Sequence, residues 1–241
     1  MNTSGTKTIR ELAVEFPHAV RTFERLGIDY CCGGGKSLEE ACASRNLSAE
    51  DVLKELASAD AMTSARPAER NWQAEPLTEL IAHITSTHHK YTREEIARIG
   101  PLLDKVCSVH GANHAELLQI RNIFQALAEE LSTHMMKEEK VLFPYIERME
   151  EAVVQGDPIL PPPFGSVRNP VAMMMHEHDS AGEALHSLRQ ASGDYTPPSD
   201  GCSSYRALYT ALAELEADLH QHIHLENNIL FPRAEEMEQG H

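Results

Sequence analysis

Apolar residues recur every three or four positions over most of the chain after residue 76, and this spacing predicts amphipathic α-helices. The helical pattern covers four segments, near 77–98, 112–148, 170–191 and 203–238. Glycine or proline interrupts it at Gly100-Pro101, 156–163 and 195–198. No segment alternates strictly between apolar and polar residues, as a half-buried β-strand would. The pattern therefore predicts an all-α fold, with a four-helix bundle of up-down topology over residues 76–241.

The beginning of the chain predicts a smaller helical unit. Thr8 with Glu11, and Ser37 with Glu40, have the spacing of capping boxes, in which two side chains satisfy the first backbone N–H groups of a helix. The segment that follows this unit has weak periodicity and suits a linker. The predicted divisions are a small helical domain over 1–57, a linker over 58–75 and the bundle over 76–241.

A glycine-rich loop with two adjacent cysteines separates the second and third short helices, Asp29-Tyr30-Cys31-Cys32-Gly33-Gly34-Gly35-Lys36. Adjacent cysteines close only a strained disulfide ring, which is easily reduced. The glycines let the loop backbone approach a partner closely. Cys31 and Cys32 are therefore candidates for a redox or docking role, and the alternative is that they are structural thiols in a tight turn.

Two segments of the bundle share the pattern H-x-x-x-E-x-x-x-L-F-P, at an offset of 88 residues. They begin at His134 and His222. Residues four apart lie on the same face of a helix. His134 with Glu138, and His222 with Glu226, can therefore each direct an imidazole and a carboxylate to one point.

The other two bundle helices each carry a histidine at a similar offset, His89 and His178, and the adjacent His88 is a rival of His89. Four imidazoles and two carboxylates are too many for one tetrahedral zinc ion. They suit two metal ions about 3.5–4 Å apart with bridging carboxylates. This donor set favours iron, with manganese or zinc as lesser candidates. The predicted metal ligands are His89, His134, Glu138, His178, His222 and Glu226.

The composition narrows the choice of partners. The chain has 241 residues, with 21 Lys and Arg against 37 Asp and Glu, which gives a formal net charge of −16. Such a chain repels phosphate backbones and anionic lipids, which argues against nucleic acid and membrane surfaces as partners. The sequence has no apolar signal core near its start, and its five cysteines, two adjacent and three scattered, do not suggest a disulfide framework. We therefore expect a cytoplasmic protein.

Together these residues resemble the hemerythrin-like di-iron bundle. The loop Asp29-Tyr30-Cys31-Cys32-Gly33-Gly34 resembles the short domain that precedes that bundle in the iron–sulfur cluster repair proteins of the ScdA, YtfE, DnrN and NorA type. Three further segments resemble the same family, at 132–139, 177–183 and 225–228. The resemblance covers nearly the whole chain. One departure is that three glycines precede Lys36, where the family usually has two.

The resemblance implies a non-haem centre of two Fe ions with an oxo or hydroxo bridge. It implies that the six predicted ligands bind the irons, that Glu138 and Glu226 bridge them, and that His89 rather than His88 is a ligand. It also places Glu130 and Glu177 near the iron site on an entry path, with a solvated helix face as the alternative. A homodimer formed through the N-terminal domain is a further expectation from the family.

Three functions fit this site, and the sequence leaves open whether the protein is an enzyme. A histidine-rich site favours ferrous and mixed states of iron, and it can bind NO or O2 or give up iron. The first function is repair of iron–sulfur proteins damaged by nitrosative or oxidative stress, by iron donation. The alternative is a protein that binds, sequesters or senses nitric oxide. The third is an NO or peroxide reductase, which needs an electron-donor partner because the chain has no nucleotide or flavin motif.

Overall fold

A computed structural model describes residues 7–16, 19–31, 33–63 and 70–240. Within these ranges the chain forms eight helices and no β-strand, which confirms the all-α prediction. The N-terminal helices are α1 (Ile9–Glu15), α2 (Ala19–Leu26), α3 (Leu38–Ser44) and α4 (Ala49–Thr63). Both predicted capping boxes are present, at the starts of α1 and α3. The segment 58–63, which the sequence assigned to the linker, continues α4.

Four longer helices make the bundle, and three of them contain a π-helical segment. Helix α5 runs through Leu77–His83, the π segment Ile84–His89, and Lys90–His110. Helix α6 runs through Glu116–Lys137, the π segment Glu138–Leu142, and Phe143–Gln155. Helix α7 is Arg168–Ala191, and α8 runs through Ser203–Leu225, the π segment Glu226–Leu230, and Phe231–Gln239. Such insertions are frequent at functional sites.

The predicted break at Gly100-Pro101 is wrong, because α5 continues through both residues. Pro101 lies on the exposed side of the helix. A proline inside a helix removes one backbone hydrogen bond and crowds the preceding turn. Ile99 and Leu103 flank it on the buried side and are fully packed into the core. Tertiary packing therefore holds the helix together at this point.

Two apolar clusters occupy the bundle, one toward each end. The first cluster includes Leu103 of α5 and Leu127 of α6, and the second includes Leu80 of α5 and Ile146 of α6. The order of the clusters along the chain reverses from each bundle helix to the next, as up-down topology requires. On every bundle helix, the predicted metal ligands lie between the two clusters. The site is therefore polar but has apolar packing on both sides.

The N-terminal helices pack against α8, close to the π segment of that helix. Ile223 of α8 belongs to the apolar cluster of the N-terminal helices. The side-chain amide of Asn228 donates a hydrogen bond of 2.9 Å to the backbone carbonyl of Tyr30. His220 and Glu24 form a further pair across the interface, at 3.0 Å. The cysteine loop is thus attached to the helix that carries Glu226.

Candidate metal centre

All six predicted ligands are buried at the middle of the bundle, and each of the four bundle helices contributes at least one of them. Each of these residues is at most 4% exposed. Helix α5 contributes His89 at the end of its π segment, and α7 contributes His178. In α6 and α8, the histidine precedes the π segment by four residues and the glutamate is its first residue. All three π segments therefore contain a predicted ligand.

The six side chains form two clusters, each with atoms within 4.8 Å of one another. The first cluster is His89, His222, Glu138 and Glu226, and the second is His134, His178, Glu138 and Glu226. The Nε2 atoms of the two histidines are 3.1 Å apart in the first cluster and 3.0 Å apart in the second. Both carboxylates belong to both clusters. The geometry therefore provides two neighbouring sites for a cation, with Glu138 and Glu226 shared between them.

Three of the four imidazoles are oriented by an acceptor on the ring nitrogen that faces away from the centre. The pairs are His89 with Glu139, His134 with Glu177 and His178 with Asn227, each with a distance of 2.8 Å from Nδ1 to oxygen. A carboxylate or amide oxygen accepts a hydrogen bond, so Nδ1 carries the proton. The Nε2 lone pair then points to the centre, as a metal ligand requires.

Three of the four carboxylate oxygens at the centre have no hydrogen-bond donor, and the fourth, Oε1 of Glu226, lies 3.0 Å from Nε2 of His222. Both oxygens of Glu138 and Oε2 of Glu226 are buried and have no hydrogen-bond partner among the described residues. Imidazole nitrogens lie 3.3 and 3.4 Å from Oε2 of Glu138. A buried polar atom without a partner costs about 1–3 kcal/mol. Unpaired carboxylate oxygens facing imidazole lone pairs are the donor set that two cations would satisfy.

The negative charge of the two central carboxylates also requires positive charge beside them. Burial and the charge of Glu226 raise the pKa of Glu138, but His134 and His89 outweigh them and the net pKa is lowered. Burial lowers the pKa of His89, but the two shared carboxylates outweigh it and raise that pKa to about 10. The two carboxylates therefore stay ionised. His89 and His134, whose pKa values are both raised, carry the balancing protons when no metal ion is bound.

The repeat also includes residues that hold the ligands in place. These residues were not among the predicted site residues. Glu139 and Asn227, which orient His89 and His178, are 88 residues apart and directly follow the shared glutamates. The phenylalanines of the two L-F-P motifs lie flat against the same imidazoles. Phe143 stacks on His89 and Phe231 on His178, with ring centroids 5.7 and 6.0 Å apart. The signal was present in the sequence, because these residues are part of the two matching segments.

A cavity of about 430 Å³ reaches the centre from one side. Its walls include His134, His178 and His222, and also Glu130 and Glu177. Glu177 accepts the hydrogen bond from Nδ1 of His134 and forms an ion pair with Lys137. The two acidic residues that the resemblance placed near the site thus line this cavity. Their role on an entry path stays a prediction.

His88 is buried beside the centre but belongs to neither cluster. Its Nδ1 donates to a carboxylate oxygen of Asp218 at 2.9 Å, and its ring lies flat against His222. In the cysteine loop, the backbone N–H and the Sγ of Cys31 both donate to Asp29, at 3.1 and 3.4 Å. Cys32 lies outside the described residues. The redox or docking role of the two cysteines stays a prediction.

None of the described helices is both long and apolar enough to cross a bilayer.

Comparison with known proteins finds relatives that match nearly the whole chain. The Hemerythrin HHE cation binding domain matches residues 80–234, and the ScdA_N domain, described as a domain of unknown function, matches residues 5–60. The iron-sulfur cluster repair protein YtfE of Musicola paradisiaca is 36% identical over 228 residues, which cover 95% of this chain and 96% of that protein. YtfE from an Escherichia coli strain is 37% identical over 224 residues, covering 93% and 94% of the two chains. The chain therefore belongs to the iron–sulfur cluster repair family of hemerythrin-like di-iron proteins.

Proposed function

We propose that this protein repairs iron–sulfur clusters damaged by nitrosative or oxidative stress, and that it does so by donating iron. Relatives named for iron–sulfur cluster repair match over nearly their whole length, so both the N-terminal domain and the bundle are shared with them. Damaged iron–sulfur proteins are then its partners. The cytoplasm is its expected location, and a homodimer and an electron-donor partner are further expectations that accompany this function.

The proposed ligands divide into two pairs of histidines and two shared glutamates. His89 with His222 would hold one iron, His134 with His178 would hold the other, and Glu138 and Glu226 would be shared by both. Iron bound there supplies an exchangeable, redox-active metal that can take up a diatomic molecule such as NO or O2. The chain's own part is to keep the donors dry and to fix each imidazole through Glu139, Glu177 and Asn227.

The observation that carries the proposal is that both cation sites depend on the same two carboxylates. Two carboxylates neutralise only half of the charge of two ferrous ions, and the imidazoles are neutral donors. Two ferrous ions in this buried site would therefore keep an uncompensated charge of +2, which favours release of one of them. The cavity beside the histidines gives iron a way out, and its wall contains the acidic residues Glu130 and Glu177. These features suit a protein that gives its iron away.

The test is reactivation of a [4Fe–4S] dehydratase that NO has inactivated, with the iron-loaded protein as the only iron source. We expect the wild-type protein to restore activity and the Glu138→Ala/Glu226→Ala double variant to restore none. A Glu94→Ala/Glu214→Ala variant is the matched control, because it removes exposed glutamates of the bundle. Full repair by the Glu138/Glu226 variant would mean that the dinuclear site is not the agent.

Nitric oxide capture is the second candidate, and the cavity is the observation that favours it. Three of the four predicted ligand imidazoles line this cavity, so a small molecule has a path to the centre. If capture is the function, the ferrous protein takes up NO stoichiometrically and leaves the damaged dehydratase inactive. A reductase would instead consume NO or peroxide over many turnovers when a reductant is supplied.

A further inference from the structure

The two halves of the bundle are alike in how they hold the histidines of α5 and α7. Glu139 accepts a hydrogen bond from His89 and Phe143 stacks on it. Asn227 and Phe231, each 88 residues later, do the same for His178. These two imidazoles therefore each have an acceptor on Nδ1 and a stacked ring, although the acceptor is a carboxylate for His89 and a neutral amide for His178. The other two histidines differ in whether they have an acceptor at all.

The two halves of the bundle differ at the residue that precedes His89 and His178. Glu177 precedes His178, and its Oε2 accepts a hydrogen bond of 2.8 Å from Nδ1 of His134. The matching residue in the other half, 89 positions earlier, is His88. Its ring lies flat on the ring of His222, with the centroids 5.7 Å apart and the planes inclined by 6°. A stacked ring does not fix the rotation of its neighbour as an acceptor on Nδ1 does.

As a result, His222 differs from the other three predicted ligands. Its Nδ1 is buried and has no hydrogen-bond partner among the residues that the structure describes. His88 cannot supply an acceptor from its own Nδ1, because that atom donates to Asp218 at 2.9 Å. An acceptor at this position raises the basicity of a ligand imidazole and fixes its orientation. The cation site of His89 and His222 lacks this support at one of its two histidines.

We propose that the two metal positions are unequal. The His89–His222 position binds iron more weakly, because His88 stands where the other half has an acceptor. This weaker position releases the iron that is donated. The last part rests on the proposed function, whereas the inequality does not. Loss of an orienting partner of a metal ligand typically lowers metal affinity about 10–100-fold. His222 lines the cavity of about 430 Å³, as His134 and His178 do, so the cavity offers a route outward from either position and does not by itself decide between them.

The experiment measures Fe²⁺ binding to the full chain without oxygen, by equilibrium competition with a coloured ferrous chelator. Two steps alone would not decide the matter, because two equal sites that share carboxylates also fill stepwise as charge accumulates. The deciding variant is His88→Gln. Its amide oxygen can accept from Nδ1 of His222 while its NH2 group donates to Asp218. We expect the weaker step to strengthen about 10-fold or more and the stronger step to stay unchanged.

A matched pair of variants tests the same inequality from the opposite direction. Asn227→Leu removes the partner of His178 and should weaken the stronger step, whereas Glu139→Leu removes the partner of His89 and should weaken the weaker step. Asn227→Asp keeps an acceptor on His178 and adds a negative charge, so the stronger step should be at least as strong as in the wild type, which separates loss of the acceptor from loss of the fold. The inference is wrong if His88→Gln leaves both steps unchanged, or if Asn227→Leu and Glu139→Leu weaken the same step.

The titration contains no iron–sulfur protein, so its outcome is separate from that of the repair assay. Unequal sites in a protein that repairs no cluster would reject the proposed function and leave the inequality standing. Repair by a protein with two equal sites would reject the inequality alone. If both hold, His88→Gln should also slow iron delivery to the dehydratase by about the factor that it gains in affinity.

Discussion

Replacing Glu138 by methionine should destabilise the metal-free protein and also remove metal binding. Glu138 is fully buried, and neither of its oxygens has a hydrogen-bond partner among the described residues. Burial of this carboxylate is costly, but His134 and His89 outweigh the cost and hold its pKa below the usual value. Removal of one partner of a buried ion pair leaves the other charge uncompensated and costs about 3–5 kcal/mol. Because the imidazoles can release their protons in response, we expect a net loss at the lower end of this range, about 3 kcal/mol, for the metal-free Glu138→Met variant.

The measurement is denaturant unfolding of wild type and Glu138→Met, each with and without Fe²⁺ and in the absence of oxygen. A loss of 1 kcal/mol corresponds to a fall of about 2–4 °C in Tm for a chain of this size. A metal that binds only the folded state adds RT ln(1 + [M]/Kd), so iron should stabilise the wild type and leave the variant unchanged. The reasoning fails if the metal-free variant is at least as stable as the metal-free wild type, or if iron still stabilises the variant.

Two other features give measurable consequences away from the centre. Asn228→Leu leaves the carbonyl of Tyr30 without its hydrogen bond and should lower the free energy of unfolding by about 1–3 kcal/mol; an unchanged denaturation midpoint would contradict the contact. The backbone N–H of Tyr205 and the imidazole of His110 lower the pKa of the Cys202 thiol to about 7, so the reactive thiolate is lost as the pH falls below 7. Alkylation of Cys202 should therefore be half-maximal near pH 7, and His110→Ala should move this midpoint upward; identical midpoints would exclude the contribution of His110.

The sequence predicted the bundle and its six central residues because it carries two strong signals, a helical spacing of apolar residues and an internal repeat. The three- and four-residue spacing of apolar positions marks the helices, and the offset of 88 residues marks the pairs His134–Glu138 and His222–Glu226. Both signals are local or repeated, so no knowledge of tertiary packing is needed to find them. The division of the six residues into two clusters is a matter of geometry, and only the structure shows it.

Other features depend on tertiary contacts that leave little mark on the sequence. The π segments at His89, Glu138 and Glu226 rearrange helix turns without any glycine or proline inside them. Gly100-Pro101 is locally a helix break, but buried neighbours on both sides of it keep α5 continuous. The packing of the N-terminal helices on α8 depends on single side chains from distant segments. Each of these is set by what the segment packs against, and not by its own residues.

The most direct test of the dinuclear centre is the iron content per chain of protein purified without oxygen, with the Glu138→Ala/Glu226→Ala variant prepared in parallel. Two cation sites that share both glutamates predict two irons per wild-type chain and none in the variant. A single zinc ion in the wild type, or the same metal content in both proteins, would contradict the assignment of these six residues as the ligands of a di-iron site.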